Sequence, residues 1–259
     1  MEQTVPGAVD WEAWARRWED QQQWHIPRRE QRFRIMLEMV AEIAGPEPRT
    51  ILDLACGPGS ISRRVLERFP QARVVALDAD PFLLEIGRQT LGDAGGRLQW
   101  VRADLRDPAW HESVAGHAPF DAVLTATALH WLAPGDLVRV YGALADLIRE
   151  AGVFFNAEHI LVAPSSTRLG RQTQELRGRL WRAERPDGES WDEWWNAARD
   201  EQAFGRLLAE RDTVFNELHP RHDECLTSAF HVEALSVSGF SEAAVVWRFL
   251  DDTIVGAIR

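Results

Sequence analysis

Three aspartates and two glycines are the residues of this sequence best placed to do chemistry. Asp53 sits in an apolar run, Ile51-Leu52-Asp53-Leu54, and Ala55-Cys56-Gly57-Pro58-Gly59-Ser60 follows at once. A helical pattern then opens at Ile61, Val65, Leu66 and Phe69. That order reads as a buried strand, a tight turn and an amphipathic helix. Gly57 and Gly59 remove the Cβ atoms that would hold a ligand off the backbone. The helix behind them presents free N–H groups and the positive end of its dipole. Such a turn suits the polar part of a nucleotide-like ligand. Asp78 and Asp104 follow two later apolar runs, and Thr125 ends a fourth.

Missing residues narrow the ligand. A dinucleotide fingerprint wants a third glycine where this chain has Ser62. All 29 basic residues are arginine. A phosphate-cradling loop of the Gly-Lys-Ser/Thr kind is therefore excluded, as are a lysine Schiff base and a tyrosine–lysine hydride-transfer pair. The only tyrosine, Tyr141, falls at a core position of a helical pattern.

The elements that must position these residues alternate from residue 49 onward, as in a parallel sheet. Strands are expected at Arg73–Leu77, around Leu98–Val101, at Phe120–Thr125 and at Val153–Asn156 or slightly longer. Asp80 caps a helix that Pro81 begins. Gly152 is placed to terminate the helix carrying Leu137 to Ile148. Before the sheet come two helices, one with Trp11, Trp14 and Trp18 on one face and one with Phe33 to Ile43. After it, residues 164–230 are helical and polar, with Trp181, Trp191, Trp194 and Trp195, and Ser190 with Glu193 forms a capping box. A short helix then ends at Gly239, and Ala243–Leu250 with Thr253–Ile258 reads as an antiparallel hairpin. The expected organisation is an N-terminal helical cap at 1–48, a ligand-binding core at 49–163, a helical lid insertion at 164–230 and completion of the core sheet at 231–259.

The stretch Asp53-Leu54-Ala55-Cys56-Gly57-Pro58-Gly59 resembles motif I of the class I S-adenosylmethionine (SAM) methyltransferases, Asp-x-Gly-x-Gly-x-Gly, with Ala55 replacing the first glycine. The next three strand ends are similar too, and Phe120 to Leu132 is similar to motif IV of small-molecule members. The resemblance spans about residues 49–160, and 231–259 by layout only. It implies an α/β fold, a doubly wound, mostly parallel seven-stranded Rossmann-like sheet with an antiparallel last strand, and SAM as cofactor. Asp78 matches the acid that binds both ribose hydroxyls, since a carboxylate only accepts and can take two O–H donors. Asp104 and Leu105 match the pair beside the adenine, with Leu77 and Ala79 as apolar walls. Asp53 accepts turn N–H groups or the ligand's ammonium. Ala55, Gly57, Gly59 and Thr125 complete the expected cofactor site. The plainer readings are a helix cap for Asp78 and a solvated turn for Asp104.

For catalysis, His130, Glu158 and His159 are the candidate bases on the acceptor side; His130 could equally hydrogen-bond the backbone. Methyl transfer needs a base only if the acceptor loses a proton. Eight of the twelve tryptophans lie outside the sheet units, which suggests a lid over a hydrophobic or aromatic small-molecule acceptor, with O-methylation favoured. The alternative is a SAM-binding protein of the same fold that catalyses a non-methylating reaction or serves as a binding module. A net charge of −11, with no Asp/Asn-Pro-Pro-aromatic motif, argues against a nucleic-acid partner. The Arg28, Arg29, Arg32 and Arg34 run reads as a solvated helix face. Cys56 and Cys225 make no disulfide framework, and no window reaches membrane-spanning length. The expectation is a cytoplasmic protein with no membrane partner, for which a homodimer is left open. His219-Pro220-Arg221-His222-Asp223-Glu224 lacks metal-site spacing and reads as a loop at the acceptor mouth.

Overall fold

A computed structural model of the chain describes residues 9–26, 28–184, 188–216 and 226–259. Two helices lead in, α1 (Trp11–His25) and α2 (Arg29–Ile43). Asp10 caps α1, its side chain accepting from the Ala13 N–H at 2.9 Å. The sheet units follow as β1 (Thr50–Leu54), α3 (Ser60–Arg68), β2 (Arg73–Asp78), α4 (Pro81–Leu91), β3 (Leu98–Arg102), the short α5 (Glu112–Ala115), β4 (Phe120–Ala126), α6 (Pro134–Leu147) and β5 (Ile148–His159). The insertion supplies α7 (Arg168–Glu184), α8 (Trp191–Asp200) and α9 (Gly205–Phe215). The chain closes with α10 (Ser228–Val237), β6 (Glu242–Phe249) and β7 (Asp252–Ile258).

The seven strands lie in the order β3-β2-β1-β4-β5-β7-β6. β1 to β5 are parallel, and β7 runs antiparallel to both β5 and β6. The central strands are near-continuous apolar runs because both faces are covered, by a core around Tyr141 and Phe154 on one side and around Phe33 and Met36 on the other. A third core joins α1, α4 and the insertion through Trp14, Trp18, Phe82, Trp194, Trp195 and Phe204. Trp194 meets Trp18 and Trp195 edge-on at ring separations of 5.0 and 4.9 Å, pairs worth about 0.5–1.5 kcal/mol each beyond their burial.

Two expectations are corrected. Gly152 does not end a helix. α6 stops at Leu147, and β5 starts at Ile148 and runs to His159, longer than expected. At Gly152 a Cβ would meet Ile148 Cγ2 at 2.6 Å and Asp121 O at 3.0 Å, so the glycine answers a backbone approach inside the sheet. The arginine run is not a solvated face either: Arg29 and Arg32 are buried, because α2 lies against β5 rather than beside solvent. Cys225 and the His219–Glu224 run lie outside the described residues. No helix of the described residues is long and apolar enough to cross a membrane.

Candidate cofactor and acceptor site

Connections leave β1 and its neighbour β4 toward opposite edges of the sheet, so a crevice opens beyond their carboxyl ends. A cavity of about 260 Å³ occupies it. The turn after β1 builds its floor. Ala55, Gly57 and Gly59 all have positive φ, at 57°, 54° and 85°, a region that suits glycine best. The Cys56 N–H bonds Leu77 O at 2.9 Å, which ties the turn to β2.

Two carboxylates hold this floor in different ways. Asp53 is fully buried, and its Oδ2 accepts the Ser62 N–H at 2.8 Å and the Ser62 hydroxyl at 2.6 Å. Its Oδ1 has no partner. Burial, partly offset by Ser62 and reinforced by the Asp78 charge, pushes Asp53 up to about 7. Asp78 accepts the Gly57 N–H at 2.7 Å on Oδ2 and the Asp80 N–H at 2.8 Å on Oδ1. Burial and the Asp80 charge push it up to about 6 despite those bonds. The helix cap is Asp80, not Asp78: Asp80 Oδ1 accepts the Phe82 and Leu83 N–H groups, while Oδ2 takes Arg211 Nε at 2.7 Å.

Asp53, Ala55, Gly57, Asp78, Ala79, Asp104 and Leu105 all line the one cavity. Gly59 and Thr125 do not. A Cβ on Gly59 would meet Trp100 Cη2 at 2.7 Å and Leu91 Cδ1 at 3.0 Å, so that glycine makes room for a neighbouring side chain. Thr125 is fully buried within the sheet beside Asn156. Asp104 reaches the cavity with its carboxylate already engaged, by the Arg106 N–H and by Arg106 Nε and Nη2 at 3.0 and 2.6 Å. Burial raises Asp104, and the Arg106 bonds outweigh it and hold the group below the usual range.

The three candidate bases are brought close together but not into the cavity lining. His130 Nδ1 lies 2.9 Å from Glu158 Oε1, and both residues are buried. Burial would raise Glu158; His130, the His159 N–H and Arg32 outweigh it and lower the group. His159 is on the opposite face of β5, its Nδ1 3.0 Å from Asp252 Oδ1, and Asp252 also binds Arg32. His159, Asp251 and Asp252 could gather around a metal ion, but Arg32 and Arg177 bond the two carboxylates and supply the balancing charge.

The rest of the cavity wall comes from helices outside the sheet units. α1 and α2 contribute Trp18, Gln22, Ile26, Arg29, Arg32 and Phe33, and the insertion contributes Trp191, Trp195, Arg211 and Phe215. The tryptophan clusters are the sequence signal for this wall; the arginine run reads as a solvated face, and nothing in the spacing marks Gln22, Arg211 or Phe215. Arg211 spans the gap between layers, bonding Asp80 and lying 3.9 Å over the Trp195 ring.

Comparison with known proteins falls on the same floor. Residues 51–152 match a family model described as a methyltransferase domain. That segment is about two fifths of the chain, and the seven-stranded sheet with its antiparallel last strand is the layout that the resemblance to class I SAM-dependent methyltransferases implies. The trans-aconitate 2-methyltransferase of Azoarcus sp. is 35% identical over 115 residues, 44% of this chain and 41% of that protein. The corresponding enzyme of Streptomyces avermitilis is 34% identical over 118 residues, 45% of this chain and 41% of that protein. The matched stretch thus spans about two fifths of these curated relatives. A solved O-methyltransferase family protein from Burkholderia thailandensis superposes with a TM-score of 0.55 at 20% identity, over 87% of this chain and 55% of that one. That likeness is one of fold, and it reaches beyond residues 51–152.

Proposed function

We propose that the protein is a SAM-dependent methyltransferase that modifies an oxygen atom of a small organic acceptor. The observation that carries this reading is the convergence of Asp53, Asp78 and Asp104, from three different strand ends, on one cavity floored by a glycine turn. SAM fits these residues. Its ammonium meets the acceptor that Asp53 Oδ1 leaves without a partner. Asp78 would hold its ribose hydroxyls, and Ala79, Asp104 and Leu105 would flank its adenine, with Asp104 and Arg106 offered to the polar edge. When bound, SAM supplies an electrophilic methyl carbon: the acceptor's lone pair forms the new bond as the carbon–sulfur bond breaks, and S-adenosylhomocysteine leaves. The chain's own part is alignment and exclusion of water by the aromatic wall.

A base-free transfer fits the lining better than base chemistry by His130, Glu158 or His159. None of the three lines the cavity, and the lining carboxylates belong to the cofactor end. An acceptor that arrives already ionised needs no proton removed. Trans-aconitate, for which the relatives are named, is of that kind. The reading is tested by incubating the protein with SAM and candidate acids and following S-adenosylhomocysteine release with the acceptor's mass gain of one CH2 by mass spectrometry. Failure to bind either SAM or S-adenosylhomocysteine overturns it.

A further inference from the structure

Arg32 is the least expected side chain in the cavity wall. It is 1% exposed, it lines the cavity, and its Nη1 and Nε have no hydrogen-bond partner. A buried guanidinium with idle N–H groups is costly unless something arrives to accept them. The other lining arginines are committed differently. Arg29 gives Nη1 and Nη2 to Glu19 at 2.7 and 3.2 Å, Arg106 is wrapped on Asp104, and Arg211 bonds Asp80. Among the described residues, Arg32 is the one cavity-lining arginine with buried N–H groups left over. Asp252 takes its Nη2 and anchors the head, with His159 Nδ1 3.3 Å from the same nitrogen.

Apart from the aspartates, arginines and a few small polar groups, the cavity lining is apolar and aromatic. Phe33 is the next residue of α2, and Trp18, Ile26 and Trp131 supply further wall. One guanidinium with idle N–H groups, its charge shared with Asp252, in a lining rich in aromatic surface suits a ligand with a single oxyanion and an apolar body. It does not match a compact polycarboxylate, which would need several free cations.

We propose that Arg32 forms an acceptor subsite for the carboxylate of a hydrophobic or aromatic monocarboxylic acid. The subsite deepens the methyltransferase reading and rests on it. It lies outside residues 51–152, the segment that matches the methyltransferase family model, so the acceptor is chosen by α1, α2 and the insertion.

The test is calorimetric binding to protein saturated with S-adenosylhomocysteine, using benzoate, phenylacetate, cinnamate and trans-aconitate, with methyl cinnamate as the neutral control. At least one aromatic monocarboxylate is expected to bind, at least tenfold tighter than methyl cinnamate and tighter than trans-aconitate. Arg32→Gln is expected to weaken that binding tenfold or more, the range for a charged hydrogen bond. Since Arg32→Gln strands Asp252, the double variant Arg32→Gln/Asp252→Asn removes both charges and serves where the single one is unstable. Equal affinity for cinnamate and its ester, or undiminished carboxylate binding by the double variant, overturns the subsite. So does tightest binding of trans-aconitate, or failure of every carboxylate to bind a protein that still takes S-adenosylhomocysteine. Loss of S-adenosylhomocysteine binding in the parent protein would instead remove the methyltransferase reading and the subsite together.

Discussion

Replacing Asp78 by asparagine is the sharpest perturbation of the proposed cofactor floor. The carboxylate accepts the Gly57 N–H at 2.7 Å and the Asp80 N–H at 2.8 Å. An amide of the same shape has one oxygen, so one of these backbone donors would face an NH2 group. The variant therefore disturbs the glycine turn as well as losing the charge offered to the ribose. Loss of one charged hydrogen bond is worth about 1.5–3 kcal/mol, so the dissociation constant for S-adenosylhomocysteine should rise about tenfold to a hundredfold at pH 8. The pH dependence sharpens the test. Asp78 is raised from 3.8 to about 6 by burial and the Asp80 charge, and hydroxyl donors favour its ionised form. Affinity in the parent should fall as pH drops through about 6, and in Asp78→Asn that dependence should shrink to the part carried by Asp53. Calorimetry at pH 5.5 to 8, with circular dichroism to confirm folding, reads both effects. Unchanged affinity, or an unchanged pH profile in the variant, would refute the ribose assignment.

Four further outcomes follow from the same geometry. Gly59→Ala should cost about 1–3 kcal/mol of stability in urea unfolding, because its Cβ would press on Trp100 and Leu91 at a φ of 85°. Gly57→Ala, whose Cβ meets nothing closer than 3.8 Å, should lose a larger share of its effect in cofactor affinity than Gly59→Ala does. The free protein's Asp53, raised from 3.8 to about 7, binds its proton more tightly than in the unfolded chain, so its contribution falls as pH rises between those values; the thermal shift given by S-adenosylhomocysteine should therefore grow over that range, and a flat shift would count against the ammonium contact. His130→Ala should destabilise the fold by about 3 kcal/mol in denaturant titration by leaving Glu158 buried without its 2.9 Å partner, whereas a stable variant with abolished turnover would restore His130 as the base.

The sheet and the cofactor floor were legible because their signals are local. Asp53, Gly57, Asp78 and Asp104 sit at the ends of apolar runs, and in a parallel sheet every such end lies on one rim whatever fills the connections. The caps were legible for the same reason: Asp80 with Pro81, and Ser190 with Glu193, need only their own few residues. Gly59 was read as a ligand glycine because the sequence does not record that Trp100, on another strand, would occupy the space beyond it. The arginine run misled because the pattern of α2 alone cannot reveal Asp252, which arrives 220 positions later to meet Arg32. The sequence offers His130 and Glu158 as bases on the acceptor side, and the structure pairs them with each other outside the cavity lining, since a strand's alternation leaves open which neighbours close over it.

In the proposed reading cofactor and acceptor are held by different parts of the chain, and this limits what resemblance can carry. Residues 51–152 supply Asp53, Ala55, Gly57, Asp78, Ala79, Asp104 and Leu105. Trp18, Arg32, Trp191, Trp195 and Arg211 come from outside that segment. At about 260 Å³ the cavity falls just below the roughly 300–1,000 Å³ of ordinary ligand sites, so SAM and an acceptor together require the helical wall to move. The contact to move is at hand, because Arg211 joins α9 to the cap of α4 by an ion pair on Asp80. Filling the cavity should change the emission of Trp18, Trp191 and Trp195 and slow proteolysis within 164–230. Arg211→Ala should loosen that segment in the free protein, so that protease cuts it faster before ligand is added than in the parent. Equal cleavage rates with and without S-adenosylhomocysteine and acceptor would mean that the wall is fixed scaffold, and that the acceptor must enter a space already open to it.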